Sequence, residues 1–178
     1  MFAGGKPAAH LRGVSAAILL LAAFSVAGEE YLGRDDFLGM VFGDTPPAVQ
    51  TLWLTDESKA AAKAAVGWVP LALRLRYWRA GSQTAWILED IGKDKPITLG
   101  IAIDGGQIDR VEVLAFRESR GWEIRYPFFT DQFRGLVLAP DGDLSGSIDG
   151  ITGATLSVRA VERVTRLALW LDARVRDS

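Results

Sequence analysis

Cysteine is absent from the 178-residue chain, and histidine occurs once, as His10. Without cysteine the chain has no disulfide, no thiolate nucleophile and no cysteine-ligated cluster. His10 lies in an N-terminal stretch that resembles an export signal, so its removal would leave a mature chain without histidine. That composition excludes Ser-His catalysis, His-ligated haem and the usual zinc sites. Redox chemistry by this chain would therefore need a bound organic cofactor.

An excess of positive charge is also missing. The chain has 20 Lys and Arg against 22 Asp and Glu, which gives a formal net charge of −2. Nucleic-acid-binding domains concentrate basic residues to neutralise phosphates, and this balance argues against nucleic acid as a partner.

Long hydrophobic runs are confined to the N-terminus. Lys6 and Arg12 form a basic start, and an apolar run over 14–27 follows them. This run is shorter than the ~20 residues that a bilayer span needs. A small-x-small pattern at 25–27 marks cleavage before Gly28. Residues 1–27 are therefore interpreted as a signal peptide, with an uncleaved signal anchor as the alternative.

Hydrophobic periodicity predicts an α+β fold, in which helices pack on an antiparallel sheet of hairpins. The strands are expected in two hairpins, 71–77 with 84–89 and 97–103 with 108–116, and another strand near 136–138. Short helices are expected over 29–43, with Phe37, Met40 and Val41 buried, and over 59–66, with Thr55 as N-cap. Residues 28–95 hold the N-terminal helices and the first hairpin, and we expect 28–178 to form one compact domain.

The stretch Asp149-Gly-Ile-Thr-Gly-Ala-Thr-Leu-Ser157 directly precedes a long helical pattern. Apolar residues recur three and four apart along one face of this helix, at Val161, Val164, Ala168, Leu171 and Val175. Glycines allow the backbone to approach a ligand, and the free N–H groups at a helix N-terminus favour an anion. The stretch therefore indicates a phosphate site at the start of the long helix.

At these residues the chain resembles the FMN-binding domain family, whose members carry FMN esterified to a threonine or serine. Examples are flavin subunits of the sodium-pumping NADH:quinone oxidoreductase and of related membrane complexes. The family motif Asp-x-x-(Ser/Thr)-Gly-Ala-(Thr/Ser) is filled without a gap by Asp149, Thr152, Gly153, Ala154 and Thr155. The resemblance covers about the C-terminal half of the chain, so 96–178 is expected to be the FMN-binding region.

The resemblance implies that Thr155 carries the flavin phosphate as a phosphoester, which a separate flavin transferase adds. It also implies that a Glu-x-x-Gly loop, here Glu118 to Gly121, borders the flavin. Arg120 is expected either to pair with the phosphate or to be solvated. Trp122 is expected either to border the flavin or to anchor the loop.

The motif region also resembles a calcium-binding loop. Positions 1, 3, 5, 6, 8 and 9 of such a loop are matched by Asp141, Asp143, Ser145, Gly146, Ile148 and Asp149. Position 12 should be a bidentate glutamate and is Thr152, and no helical pattern precedes Asp141. A non-redox module that uses this loop is therefore the weaker alternative.

The resemblance and the export signal together imply a flavoprotein at the outer face of the cytoplasmic membrane or in the periplasm. It would relay electrons between redox partners, one of them a membrane reductase, and would be an electron carrier more than a free-standing enzyme. A reductase with non-covalent FMN is the enzyme alternative.

Overall fold

The computed structural model describes Met1 and residues 29–176. The signal over 1–27 and its cleavage site lie, apart from Met1, outside the described residues. Among those residues, no helix combines the length and the apolar character needed to cross a membrane.

Six strands and four α-helices form the described fold. The strands are β1 (Glu29–Glu30), β2 (Gln50–Trp53), β3 (Arg74–Ala80), β4 (Gln83–Ile91), β5 (Pro96–Asp104) and β6 (Gln107–Phe116). The helices are α1 (Arg34–Phe42), α2 (Asp56–Val66), α3 (Pro127–Thr130) and α4 (Thr155–Arg176). Two 3-10 turns flank α3, at Trp122–Arg125 and Asp131–Phe133.

All strands belong to one antiparallel sheet, in the order β1-β6-β5-β4-β3-β2. The four central strands follow the chain as consecutive hairpins, because the connections are too short for parallel crossovers. Both predicted hairpins and the α+β class are confirmed. The predicted cap is confirmed too, since the Thr55 side chain accepts a hydrogen bond from the Ser58 N–H at 3.1 Å.

Helix α4 supplies the main core against one face of the sheet. Its predicted apolar face is confirmed, since Val161, Val164, Ala168, Leu171 and Val175 are all buried. Burying a side chain of this size contributes about 1.5–3 kcal/mol, so this face fixes α4 on the sheet. The position of the α4 N-terminus is thereby set by the packing of the whole helix.

Helix α1 covers the other face of the sheet. Phe37 and Leu38 pack there with Trp78, Ala85 and other residues of the strands. Gly100 permits this contact, because a Cβ atom at its position would lie 2.8 Å from the Phe37 ring. Val41 packs at the margin of this cluster, whereas Met40, which was predicted to be buried, is 46% exposed.

Two predicted strand segments differ from the structure. Strand β3 begins at Arg74, so Leu71 and Leu73 precede it and are 98% and 66% exposed. The predicted strand at 136–138 is only an isolated bridge between Leu138 and Leu144. The Ala139 N–H donates to the Asp143 carbonyl at 2.8 Å and the Ser145 N–H to the Val137 carbonyl at 2.9 Å, so the chain forms only a short turn here.

Candidate functional site

Helix α4 begins with unpaired backbone donors. Its first bonded turn is closed by the Val158 N–H, which donates to the Ala154 carbonyl at 2.9 Å. The three amides before it, from Thr155 to Ser157, have no acceptor among the described residues. Free amides at the N-terminus of a 22-residue helix carry partial positive charge and favour an anion.

The Thr155 side chain lies at this same point, as the first residue of α4. It is exposed, and its hydroxyl has no hydrogen-bond partner within the described part of the chain. A covalent modification of this oxygen would therefore break no contact that the fold needs.

A cavity of about 590 Å³ opens beside Thr155. It brings the start of α4 together with the loop after β6 and the loop after β4. Its lining comprises Lys93, Glu118, Ser119, Arg120, Gly153, Ala154, Thr155, Leu156 and Ser157. The cavity thus joins five of the predicted site residues, from two segments that lie more than 30 positions apart in the sequence.

Glu118 organises the loop that carries Lys93. Its Oε1 atom accepts hydrogen bonds from the backbone N–H groups of Lys93, Asp94 and Lys95, at 2.6, 2.7 and 2.9 Å. Gly92 fits against this carboxylate, since a Cβ at that position would lie 3.0 Å from Oε1. One carboxylate oxygen therefore holds three consecutive amides and fixes the cavity wall at Lys93.

These hydrogen bonds stabilise the ionised form of the Glu118 carboxyl. Burial raises the pKa of the carboxyl, but the amides of Lys95, Asp94 and Lys93 and the Lys93 ammonium outweigh it, so the pKa lies below its ordinary value. Its stabilising contribution is complete above the unfolded-state pKa of about 4.3 and is lost as pH falls through the depressed folded-state pKa.

We therefore expect Glu118→Gln to remove a pH-dependent part of the stability. Its free energy of unfolding should fall short of the wild-type value by a constant amount above about pH 5, and the difference should shrink below about pH 4. Urea denaturation across this range measures it, with the exposed Glu57→Gln as control. A difference that does not change down to about pH 3 would contradict the depressed pKa.

Gly121 connects the Glu118 loop to helix α4. Its φ of +87° favours glycine, and a Cβ there would lie 3.0 Å from the Ala154 Cβ and 3.2 Å from the Ser157 Oγ. The loop and the helix start can approach this closely only because position 121 has no side chain.

Four predicted site residues lie outside the cavity lining: Gly121, which packs against the helix start, and Asp149, Thr152 and Trp122. Thr152 and Asp149 are exposed on the approach to α4, and the Asp149 N–H donates to Gln132 Oε1 at 2.7 Å. Trp122 is 42% exposed and packs edge-on against Tyr126 at 5.5 Å between ring centroids. Their contact with a cofactor stays a prediction.

Sequence reasoning missed Lys93, Ser119 and Leu156 as individual cavity residues, and it named Ser157 only as part of the stretch at the start of the long helix. Lys93 belongs to a polar connection without a motif, and only the Glu118 bonds bring it to the site. Leu156 and Ser157 could have been found by continuing from Thr155 along the first turn of the helix.

The calcium-like loop contributes to a different part of the surface. The Asp143 carboxylate pairs with Arg166 of α4, and Asp141 Oδ1 accepts from the Asp143 N–H at 3.1 Å. No group of three or more acidic or histidine residues with metal-binding geometry occurs among the described residues.

Residues 92–169 match the model of a family described as the FMN-binding domain. No curated protein matches the chain. The matched segment runs from the Gly92 loop through most of α4 and includes every residue that lines the cavity. It indicates FMN as the cofactor, which confirms the cofactor prediction.

Proposed function

We propose that the protein carries FMN covalently on Thr155 and relays electrons between redox partners, because residues 92–169 match the model of the FMN-binding domain family. The observation that carries this proposal is the exposed Thr155 hydroxyl at the N-terminus of α4, on the wall of the 590 Å³ cavity. A phosphoester to this oxygen would place the phosphate among free helix amides.

The charges around the cavity fit a phosphate group. Arg120 is exposed and has no charged or hydrogen-bonded partner among the described residues, so its guanidinium is available for a bidentate contact. The Lys93 ammonium lies 3.8 Å from the exposed Asp94 carboxylate, which is a weak surface pair. Arg120 and Lys93 would hold the phosphate from two sides, and Glu118 acts as a positioning residue through the amides that it binds.

The same cavity offers apolar contact for a flavin ring. Leu156 is 45% exposed and lines the cavity next to the proposed attachment oxygen. When bound, FMN supplies one- and two-electron redox chemistry, and the protein supplies position and electrostatics. Attachment through the phosphate would leave the ring near the surface, where a redox partner can reach it.

A carrier role predicts redox activity without turnover of a substrate. Purified holoprotein should be reduced by dithionite and reoxidised by an artificial acceptor, with little saturable oxidation of NADH or NADPH. The chain has no cysteine, and cleavage before Gly28 would also remove its one histidine, so it would lack the usual nucleophile and near-neutral proton shuttle. Stopped-flow absorbance measures both reactions. Fast NAD(P)H oxidation with a defined KM would instead favour a reductase, and flavin lost on denaturation would favour non-covalent FMN.

We also propose that the protein functions outside the cytoplasmic membrane, with a flavin transferase and a membrane reductase as partners. The basic start and short apolar run before Gly28 support export, and covalent attachment suits a compartment without an FMN pool. Mass spectrometry of the periplasmic and membrane fractions should find an N-terminus at Gly28. An intact N-terminus in the membrane fraction would indicate a retained anchor, and protein confined to the cytoplasm would contradict export.

A further inference from the structure

The Ser157 hydroxyl is buried and has no hydrogen-bond partner in the described part of the chain. The residue is only 4% exposed, yet its Oγ atom neither donates to nor accepts from any described group. A buried polar group without a partner is destabilising, because it has given up its hydrogen bonds with water. Ser157 also helps to form the wall of the cavity beside Thr155. Its hydroxyl is therefore available to a group that enters this cavity.

Two glycines close over this hydroxyl. A Cβ atom at Gly92 would lie 3.3 Å from Ser157 Oγ, and a Cβ atom at Gly121 would lie 3.2 Å from it. Both distances are tighter than an ordinary van der Waals contact, so the loops after β4 and β6 reach Ser157 because neither has a side chain at this point. The two loops bury the serine and leave the cavity as its open side.

The Ser157 side chain points toward the start of α4. Ser157 is the third residue of this helix, and helix side chains tilt toward the helix N-terminus. The hydroxyl therefore lies on the side of the free amides of 155–157. Ala154, which precedes the helix, has no side-chain oxygen that could accept from those amides, so the helix is not capped from within the motif.

The polar groups around this point are donors. The free helix amides, the Arg120 guanidinium and the Lys93 ammonium all donate, and the Ser157 hydroxyl can donate as well. Glu118 is the one carboxylate among the described lining residues, and its Oε1 atom already accepts from three backbone amides. A ligand that satisfies these donors must present several acceptor oxygens and negative charge, as a phosphoryl group does.

We propose that the Ser157 hydroxyl binds phosphate, by donating a hydrogen bond to a non-bridging oxygen of a phosphoryl group at the start of α4. The inference rests on the proposed function for the identity of this group, which is then the flavin phosphate esterified to Thr155. The two hydroxyls have separate tasks. The exposed Thr155 oxygen forms the ester, and the buried Ser157 hydroxyl orients the phosphate without forming a covalent bond.

Inorganic phosphate tests this contact without the flavin. Protein made without a transferase is titrated at constant ionic strength, and the amide resonances of 155–157 are followed by NMR. Wild type should saturate with a Kd of about 10 mM or tighter, and Ser157→Ala should bind about tenfold more weakly. Ser147→Ala, which removes an exposed hydroxyl outside the cavity lining, should bind as wild type does. Equal binding by Ser157→Ala, or no shifts at 155–157 up to about 100 mM phosphate, would overturn the inference.

Thermal unfolding distinguishes a ligand contact from a structural role of Ser157. In phosphate-free buffer, Ser157→Ala should have a Tm equal to or above that of wild type, because it loses an unpaired buried hydroxyl. Added phosphate should raise the Tm of wild type more than that of the variant, since a ligand stabilises the native state that binds it. A clearly lower Tm of the variant without phosphate would show that the hydroxyl has a partner within the protein and would overturn the inference.

Flavin labelling separates this inference from the proposed function. In labelled protein, the ³¹P resonance of the phosphodiester should shift in Ser157→Ala and stay unchanged in Ser147→Ala. If wild type is never labelled, the proposed function fails, whereas phosphate binding that depends on Ser157 would still support the inference. Label that is lost from Ser157→Ala but kept in Thr155→Ala would make Ser157 the attachment residue and would overturn its role as a donor.

Discussion

Replacing Thr155 by alanine should abolish covalent flavin labelling. After co-expression with a flavin transferase, wild-type protein should fluoresce in a denaturing gel, Thr155→Ala should be dark, and Thr155→Ser should keep some label. The reason is that Thr155 is the first residue of α4 and presents its exposed hydroxyl on the cavity wall, next to the free helix amides. Thr45→Ala is the control, because Thr45 is an exposed threonine outside both the motif and the cavity lining.

The same assay tests the proposed phosphate contacts. Arg120→Gln and Lys93→Gln should each slow labelling by about tenfold or more, because a hydrogen bond to a charged group contributes about 1.5–3 kcal/mol. Lys95→Gln is the control, since its side chain is exposed outside the cavity lining. A bright Thr155→Ala band would disprove the attachment site and direct attention to Thr152 or Ser157.

Replacing Asp172 by alanine should lower the free energy of unfolding far more than replacing an exposed residue of α4. Asp172 is fully buried, and its two carboxylate oxygens accept from Thr84 Oγ1 and Arg176 Nε, each at 2.7 Å. The Thr84 hydroxyl in turn accepts from the Trp86 indole N–H at 3.1 Å. Without the carboxylate, a buried hydroxyl and a partly buried guanidinium lose their partner, which costs roughly 2–4 kcal/mol of unfolding free energy.

Urea denaturation measures this loss, with Arg159→Ala on the exposed side of α4 as control. The control should stay within about 0.5 kcal/mol of wild type. Asp172 lies 17 residues after Thr155, a distance of about 26 Å along the helix. We therefore expect folded Asp172→Ala protein to be labelled normally in the cold. A stability equal to that of the control would contradict the structural role of this carboxylate.

The parts of the fold that follow local patterns could be predicted from the sequence. Alternation located the hairpins, the 3.6-residue period located α4, and a Thr followed by two acids located the α2 cap. Leu71 and Leu73 continue the alternation of β3 but precede the strand, because local pattern does not show where a partner strand ends. The burial of the second sheet face under α1 could not be predicted either, because it depends on packing between residues that are far apart in the sequence.

The site was predictable only where a motif marks it. The motif located Thr155 and the adjacent small residues, and the family resemblance added Glu118 and Arg120. Lys93 reaches the cavity because the Glu118 carboxylate binds three amides about 25 residues earlier in the chain. Such a contact between two loops has no periodicity, and no single-sequence pattern could indicate it.

The strand order also has a consequence for how the chain reaches its native state. Strands β3 to β6 pair with their sequence neighbours, so these hairpins close short loops and can form early. Strand β1 precedes them all but pairs with β6, since Glu30 lies opposite Ala115. During synthesis from the N-terminus, β1 therefore waits unpaired until β6 has emerged. Its two residues are both glutamates, and such a short acidic strand is a poor template for association with other chains during that interval.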